Sequence, residues 1–403
     1  MKYILFRLKR FGGFISGFVF FIAGIFKLLD PVGTGLIMKE YFDFLHIGFL
    51  DAAAKPAGVG LAMLETLIGT ALVTGIWRKP TAIAALAFQG VFTFLTLLLV
   101  IFNPEMDCGC FGEVIHLTHW QTFIKNIVLL ALLCAFAFPL KQLGGPKKHK
   151  YASFAIVSVS VLAFTVYSLM YIPLVDHTAF HPAAALQAGN AFETSEDEMY
   201  EAVFVYEKEG EREEFSLEDL PDSTWAFVET VAKPKERFED SAVSLSFYDS
   251  SESYQDSLAA TGAVMLVSVY DTDIKPVKWR NIGKFMHQAE EAGFKVLLLV
   301  ASTPANMENI IAQIPEIQNV TEGRLFYSDY KTLITLNRSN GGVTYFSDGY
   351  LICKWARRAS PTPEELVTIH SGDDTEVIID NDTKGSLAFQ GFLLYVFAVM
   401  LLL

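Results

Sequence analysis

The chain has 403 residues, of which 52% are hydrophobic and 19% charged, and its mean hydropathy is +0.35. This profile is typical of a membrane protein that also carries a soluble part. The formal net charge of -14 argues against a nucleic-acid partner, because no basic stripe exists to neutralise phosphates. Four cysteines are too few for a disulfide scaffold, so each has to be considered separately.

Six apolar stretches predict membrane spans. The first, 12–29, follows a basic flank and lacks a small-x-small cleavage site, so we predict an uncleaved helix rather than a signal peptide. The later stretches lie at about 57–77, 81–102, 120–138, 151–172 and 386–403. The last of these is short and ends with the chain.

The distribution of Lys and Arg predicts how these spans are oriented. The loop 103–119 has neither residue, whereas the segments between the second and third spans and between the fourth and fifth are basic. The positive-inside rule therefore predicts a cytoplasmic N-terminus, an external 103–119 loop and an external soluble region at 173–385. In a bacterium this places the soluble region in the oxidising periplasm and the spans in the inner membrane.

The soluble region begins with a predicted linker and a β-hairpin. Residues 180–192 are rich in Ala and Gly and predict the linker. Residues 202–206 and 215–217 predict two strands that turn at Glu209 and Gly210. The charged residues at 207–214 favour a solvated hairpin tip over a metal site.

The second part of the soluble region predicts an α/β domain. Its apolar runs alternate between strand and helix patterns before a hairpin that turns at Asp348 and Gly349. The predicted strands are 264–269, 294–300 and the hairpin 343–355, and the predicted helices are 277–292, 304–314 and one that begins at Pro363. This alternation indicates an α/β arrangement.

The first 140 residues carry motifs of a known membrane family. Residues 24–31 read GIFKLLDP, Glu65 lies inside the second span, and the loop 107–112, called the thiol loop below, reads DCGCFG. These positions resemble the DoxX/MauE family of four-helix membrane proteins. The resemblance implies thiol redox chemistry, because MauE-type proteins are implicated in making disulfides of a periplasmic dehydrogenase and DoxX-type subunits in quinone-linked sulfur oxidation.

Residues 241–371 resemble a thioredoxin-like domain of the TlpA kind, with 241–245 as its opening strand and 262–270 as the strand that leads to the active site. The resemblance implies a Cys-x-x-Cys motif where this chain has Ile274, Lys275, Pro276 and Val277, and a cis-proline where it has Gly341. Without those thiols the domain cannot perform disulfide exchange by itself. We therefore interpret it as a binding module.

Together these patterns predict a membrane α-helical bundle with a periplasmic thioredoxin-like α/β domain. The predicted segments are the four-helix membrane domain 1–140, a cytoplasmic loop and fifth span at 141–172, a linker and hairpin at 173–240, the thioredoxin-like domain 241–371, and a linker with a last span at 372–403.

Cys108 and Cys110 are the strongest candidates for chemistry. The glycine between them permits the turned backbone that would bring the two sulfur atoms together. A bridge between these positions would close a small strained ring, and strained disulfides are readily reduced. The alternatives are a permanent bridge that only shapes the loop, and two free thiols.

A zinc site is a weaker alternative for the same region. His116 and His119 follow the thiol loop, and two thiolates with two imidazoles would form a tetrahedral set. The spacing argues against it, because zinc-binding cysteines usually have at least two residues between them. Histidines at a helix start near the lipid headgroups are the simpler interpretation.

Ionisable residues within or beside the predicted spans form a second set of candidates: Lys27, Asp30, Glu65 and Lys125. Charged groups in a membrane are costly unless they face the bundle interior and are paired. A Glu65 carboxylate paired with Lys27 or Lys125 would fix helix register, and the same groups could instead relay protons or bind a quinone head group.

The remaining cysteines have structural interpretations. Cys134 lies among apolar residues of the fourth span, where a small packing residue is expected. Cys353 alternates with Leu351 and Trp355 on a predicted strand and should point into a core. As another external thiol it could also resolve a mixed disulfide with the thiol loop.

Three functions remain open from the sequence, of which the third is a helical bundle that binds a small molecule or a quinone. The first is a thiol–disulfide or quinone-linked oxidoreductase component that acts on a periplasmic client protein through Cys108 and Cys110. The second is a non-catalytic scaffold of an envelope complex that binds partners through a thioredoxin-like domain without thiols.

Overall fold

The computed structural model describes residues 2–138, 148–186, 200–208, 211–215, 225–234, 242–314 and 317–402. The chain forms two compact units. One comprises Met1–Thr178 with Asp380–Leu403, and the other comprises Ala179–Ile379.

The first unit is helical. Its helices are α1 (Lys2–Leu29), α2 (Pro31–Phe44), α3 (Ala54–Thr74), α4 (Arg78–Phe102), α5 (His119–Ala137), α6 (His149–Met170) and the last helix of the chain, α12 (Asp374–Leu402). A 3₁₀ turn at Gly48–Ala53 precedes α3, and a short strand β1 (Cys110–Glu113) lies between α4 and α5. Within the described residues, six segments are long and apolar enough to cross a membrane: Arg10–Leu29, Gly48–Thr74 and the helices α4, α5, α6 and α12.

Glycines allow helices α1 and α3 of this unit to approach each other closely. A Cβ atom on Gly69 of α3 would lie 2.7 Å from the Gly17 carbonyl oxygen of α1, and one on Gly17 would lie 2.7 Å from the Leu72 Cβ. Small residues allow such backbone approach between membrane helices. Further along α1, a Cβ on Gly24 would lie 2.8 Å from the Ala62 carbonyl oxygen of α3. Later residues of α1 thus meet earlier residues of α3, so the two helices are antiparallel.

Helix α12 packs along α6 through aromatic and polar contacts. The rings of Phe164 and Phe392 stack with centroids 4.5 Å apart, and the Ser153 hydroxyl donates to the Val399 carbonyl at 2.7 Å. The helix begins at Asp374, twelve residues before the predicted apolar stretch, because its first turns are polar and hydropathy does not detect them. The predicted linker at the start of 372–403 is therefore largely helical.

The second unit contains a three-stranded and a seven-stranded sheet. The first consists of β3 (Tyr200–Lys208), β4 (Glu211–Phe215) and β5 (Ala226–Pro234) in the order β4-β3-β5, and all its strands are antiparallel. The predicted hairpin corresponds to β3 and β4. Its tip at 209–210 and residues 216–217 lie outside the described residues, and β5 was not predicted.

The strands of the seven-stranded sheet are β2 (Ala185–Leu186), β6 (Ala242–Val243), β7 (Ala263–Val269), β8 (Lys295–Val300), β9 (Leu325–Tyr327), β10 (Gly342–Ser347) and β11 (Tyr350–Trp355). They lie in the order β6-β2-β11-β10-β7-β8-β9. Its helices are α7 (Pro276–Glu291), α8 (Pro304–Gln313), α9 (Gln318–Thr321), α10 (Tyr330–Leu336) and α11 (Pro363–Ser371). Strands β7 and β8 are parallel, and β10 is antiparallel to both β7 and β11.

This arrangement confirms the predicted α/β domain, with a β7-α7-β8 crossover followed by a hairpin and a closing helix. Alternate residues of β7 enter two apolar cores, with Met265 and Val267 in one and Val264 and Leu266 in the other. Strand β9 and helix α10 were not predicted, because each is too short to show a clear period.

Two segments at the start of this unit differ from the prediction. The proposed linker 180–192 contributes strand β2, which pairs with β11 and β6, and Phe180 lies in a core. Residues 187–192 of that linker are outside the described part of the chain. The proposed opening strand 241–245 is reduced to β6, a two-residue strand at the sheet edge.

Candidate functional site

The thiol loop has the tight backbone that its glycines require. Gly109 has a φ of +59° and Gly112 a φ of +61°, in the left-handed region that favours glycine. A Cβ on Gly112 would lie 3.3 Å from the Phe26 carbonyl oxygen and 3.4 Å from the Lys27 Cα. The loop therefore rests directly on the end of α1.

The two cysteines of the loop are free thiols. Cys108 and Cys110 are both buried, with 5% and 8% of their surface exposed. They form an apolar cluster with Leu99, and Tyr41, Phe44, Met106 and Phe111 pack around it. In this reduced form the thiol loop is covered by protein on several sides.

Helix α2 supplies part of this cover and was not predicted from the sequence. The Tyr41 hydroxyl donates to the Cys108 carbonyl oxygen at 2.9 Å. A Cβ on Gly109 would collide with Ile37 of the same helix. Burial beside the two thiols raises the pKa of Tyr41 far above its usual value, so the phenol stays a hydrogen-bond donor.

The environment of Cys108 disfavours its thiolate. Burial raises the pKa of the Cys108 thiol to about 11. The nearby Thr122 hydroxyl and the charge of Lys125 oppose this rise in pKa without cancelling it, while Cys110 and Asp107 add to it. The reduced Cys108 is therefore a weak nucleophile near neutral pH.

Glu65 pairs with Lys27 within the helical bundle. The Lys27 Nζ lies 2.5 Å from the Glu65 Oε2, and both residues are buried. The ammonium also lies 5.6 Å from the centroid of the Phe92 ring. Because the Gly112 position contacts the Lys27 backbone, this ion pair and the thiol loop share one end of the bundle.

Lys125 and Asp30 have other partners. The sequence also allows Lys125 as the partner of Glu65. In the structure, the Lys125 Nζ instead lies 4.9 Å from the centroid of the Phe111 ring. The Asp30 carboxylate caps α2 by accepting from the backbone N–H of Val32 at 3.1 Å and of Gly33 at 2.9 Å. Asp30 thus positions the helix that covers the thiols.

The histidines after the loop do not converge on the cysteines. His119 Nε2 lies 2.9 Å from the Met106 carbonyl oxygen and its Nδ1 lies 3.3 Å from the Asn103 Oδ1. His116 Nδ1 lies 3.4 Å from the Asp107 carboxylate. Among the described residues, no three His, Cys, Asp or Glu side chains gather as a metal site would require.

The other two cysteines occupy opposite environments. Cys353 is buried in the core of the α/β domain, and burial raises the pKa of its thiol well above the usual value. This agrees with the predicted inward orientation. Cys134 is exposed on α5, so the prediction that it packs inside the chain is wrong.

The four residues that we predict in place of a thiol motif lie around the start of α7. Lys275 is the residue that caps this helix and Pro276 is its first residue, while Val277 is 59% exposed. Ile274 packs at the edge of a core. Gly341 has a φ of +78°, and its N–H donates to the Ser268 carbonyl oxygen at 2.7 Å.

Two residues near the thiols, Tyr41 and Thr122, are not among the site residues predicted from the sequence. The signal for Tyr41 was available, because Asp30 followed by Pro31 is a helix start and predicts a helix after the first span. Thr122 had no such signal, because its role depends on which face of α5 meets the loop.

Comparisons with known proteins agree with the resemblance of the membrane unit. Residues 6–140 match the family described as Methylamine utilisation protein MauE, and residues 200–236 match one described as Domain of unknown function (DUF8463). Protein TlpB of Flavobacterium psychrophilum is 27% identical over 154 residues, which cover 37% of this chain. The matched segment covers 41% of that relative, less than half of its length. No solved structure matches the chain.

These matches establish a MauE-family domain at residues 6–140 and similarity to TlpB, which is consistent with a MauE-type membrane part fused to a thioredoxin-like domain. The chain is therefore a membrane protein with several apolar helices. These two similarities together suggest that the chain is a membrane protein associated with redox chemistry.

Proposed function

We propose that the protein is a component of thiol–disulfide exchange whose reactive groups are Cys108 and Cys110. The MauE-family domain of its membrane unit supports this proposal. The observation that carries this proposal is the thiol loop itself. Two free thiols share one tight loop, between a cover formed by α2 and the buried pair of Lys27 and Glu65. Gly109 gives the loop the turned backbone that a bridge between its neighbours would need.

The proposed location is the outer face of a bacterial inner membrane. The loop 103–119 has no Lys or Arg, whereas the segments 1–10, 75–80 and 139–150 contain ten of them and no acidic residue. The positive-inside rule favours an orientation in which the thiol loop and the α/β domain are periplasmic. Thiols on that side would be exposed to an oxidising environment.

The proposed reaction is the oxidation of a client dithiol by a Cys108–Cys110 disulfide. A client thiolate attacks the Cys108 sulfur, the S–S bond breaks, and Cys110 leaves and takes up a proton. The second client thiolate then attacks the client sulfur of the mixed disulfide and displaces Cys108, which is also protonated. Two electrons and two protons pass to the loop, and the client gains a disulfide.

Regeneration of the disulfide requires a two-electron acceptor, and we propose a quinone. A quinone would accept two electrons and two protons from the dithiol and leave as a quinol. The Lys27–Glu65 pair lies at the same end of the bundle as the thiols and could supply the polar contact for a quinone oxygen. Lys125, beside Phe111, supports the Cys108 thiolate electrostatically during exchange.

The α/β domain is proposed to recruit the client rather than to react with it. Ile274 and Val277 stand where exchange would need two thiols, and Cys353 is buried in a core. A periplasmic client or envelope protein is therefore the expected partner of this domain.

Trapping in cells tests the exchange reaction. In Cys110→Ser, the Cys108 thiolate forms the mixed disulfide in the reverse direction, by attacking a disulfide of the oxidised client, whose other sulfur leaves as a thiolate and takes up a proton. The raised pKa of Cys108 makes it a poor leaving group, so this mixed disulfide should be resolved slowly. We expect Cys110→Ser to accumulate more mixed disulfide than Cys108→Ser, on non-reducing gels. Cys134→Ser is the matched control and should behave as wild type. If neither loop variant captures a partner and alkylation finds no oxidised wild-type protein, the exchange function is wrong.

A non-catalytic scaffold is the second candidate function. Two observations favour it, namely the absence of the Cys-x-x-Cys motif and a Cys108 thiol whose pKa is about 11. A scaffold would form its complexes equally well in the Cys108→Ser/Cys110→Ser variant. Loss of client disulfides in that variant, with complex formation unchanged, would instead support exchange.

A further inference from the structure

The end of the helical bundle away from the thiol loop contains a cationic cleft. It has a volume of about 470 Å³ and lies among the ends of α1, α3, α4, α5 and α6. Its charged lining residues are Arg10, Arg78 and Lys150, and its aromatic lining residues are Phe11, Phe14 and Phe136. This cleft has no part in the proposed thiol chemistry.

Three cations belong to the described lining of this cleft. No acidic side chain occurs among the described residues that line it, and Arg10 and Arg78 are close enough to repel each other. In the sequence, the segments 1–10, 75–80 and 139–150 contain no Asp or Glu at all. A phosphate group in this cleft would be attracted to both guanidinium groups.

The cations are held in place by backbone contacts. The Arg78 Nε donates to the Gly75 carbonyl oxygen at 3.1 Å, at the end of α3. The Lys150 Nζ donates to the Met400 carbonyl oxygen at 3.1 Å, near the end of α12. These contacts fix two positive groups in the lining of the cleft.

The apolar lining indicates what kind of anion fits. Phe11 is 59% exposed, and Phe14, Phe136 and Leu72 continue the apolar surface from the cations along the helices. A small inorganic anion would use only the cations. A phospholipid uses both parts, with its phosphate at the basic end and an acyl chain along the aromatic side chains.

We infer that this cleft binds the headgroup of an anionic phospholipid. Arg10 and Arg78 contact the phosphate, Lys150 contributes charge at the rim, and Phe11, Phe14 and Phe136 contact the first part of an acyl chain. Bidentate hydrogen bonding suits arginine to phosphate. The inference does not depend on the thiols or on the direction of electron flow.

The test measures lipid binding by the full chain in detergent. Dioleoyl phosphatidylglycerol and dioleoyl phosphatidylcholine, which share their acyl chains, are titrated separately while thermal unfolding and native mass spectra are recorded. We expect phosphatidylglycerol to raise the melting temperature and to remain bound with about one lipid per chain, and phosphatidylcholine to do neither. Equal binding of the two lipids would overturn the inference.

Matched variants separate the cleft from the overall charge. Arg10→Gln/Arg78→Gln removes two charges from the cleft, and Lys79→Gln/Lys148→Gln removes two from the same end of the bundle outside its lining. We expect the first variant to bind phosphatidylglycerol about tenfold or more weakly, and the second to stay within about twofold of wild type. Equal losses in both variants would show that only the general surface charge matters.

Two further measurements keep the result decisive. Inorganic phosphate should not protect wild type from unfolding at concentrations at which phosphatidylglycerol does, and equal protection would overturn the lipid assignment. If the Arg10→Gln/Arg78→Gln variant does not fold, Phe14→Ala/Phe136→Ala replaces it and should reduce retention of phosphatidylglycerol without changing phosphate binding. The Cys108→Ser/Cys110→Ser protein should keep the full preference, which separates this inference from the proposed exchange function.

Discussion

The thiol loop and the loop before α7 occupy comparable positions, since each leads from an apolar element toward a helix, but they differ in what they can do. The thiol loop carries Cys108 and Cys110 beside Tyr41, Lys125 and the end of α1. The loop before α7 carries Ile274 and Val277 and keeps the proline at the helix start. Of these two loops, only the thiol loop contains groups that can exchange disulfides, so the proposed exchange has to take place in the membrane unit.

The largest expected effect is on the buried ion pair beneath the thiol loop. Glu65→Leu leaves the Lys27 ammonium buried without its carboxylate and should destabilise the membrane unit by about 3–5 kcal/mol. Unfolding of the full chain in mixed micelles measures this change. Lys27→Met/Glu65→Leu should recover part of the loss, because no uncompensated charge remains.

An exposed ion pair provides the control for this prediction. Asp380→Asn breaks the exposed Lys384–Asp380 pair of α12, whose atoms are 2.5 Å apart, and should change stability by less than about 1 kcal/mol. A Glu65→Leu effect as small as this one would contradict a structural role for the buried pair.

The next effect tests whether α2 covers the thiols. Gly109→Ala places a Cβ against Ile37 at a φ of +59° and should cost about 1–3 kcal/mol. It should also speed alkylation of Cys108, because α2 is displaced from the loop. Gly262→Ala has a similar φ of +74° with no atom near the added Cβ, so it isolates the backbone cost in the α/β domain. If the alkylation rate of Cys108 is unchanged in Gly109→Ala, α2 is not what protects the thiols from the reagent.

The third prediction concerns the buried thiol of the α/β domain. Cys353→Ser introduces a hydroxyl into an apolar core and should destabilise the domain by about 1–3 kcal/mol. Client oxidation at a temperature where the domain stays folded should be unchanged. If client oxidation is lost under those conditions, Cys353 takes part in exchange. The α/β domain would then contribute to the chemistry, contrary to the proposal.

The smallest effect is a change in the pH dependence of the thiol loop. Burial raises the pKa of Cys108 to about 11, above its unfolded value near 9, so its contribution to stability is full below pH 9 and is lost as the pH rises through 11. Alkylation of Cys108 should accelerate about tenfold per pH unit below pH 11, because the thiolate reacts. Lys125→Met should move this profile to higher pH, since the ammonium favours the thiolate.

The pH profile has an internal reference in Cys134. This thiol is exposed on α5 and should be alkylated by a membrane-permeant reagent in the Cys108→Ser/Cys110→Ser background. Its profile should be the same with and without Lys125→Met. A shift in both thiols would mean that the substitution acts on the whole bundle rather than on Cys108.

Much of the architecture could be predicted from local patterns. Apolar runs identified the regions of all six spans, and alternation of strand and helix patterns identified β7, α7, β8, α8 and the final hairpin. The glycine between the two cysteines permits the turned backbone that the structure shows, with a φ of +59° at Gly109. These features depend on composition and periodicity over a few turns of chain, which a sequence displays directly.

The sequence shows that cysteines occur in the thiol loop but not in the loop before α7, and that a carboxylate within a membrane span needs a cation. Only the folded chain shows that this cation is Lys27, that Asp30 caps α2, that Tyr41 covers Cys108 and that Cys134 faces outward. The physical reason is that helix rotation and depth are fixed by close contacts such as that of Gly17 with Gly69, and these join residues far apart in the chain.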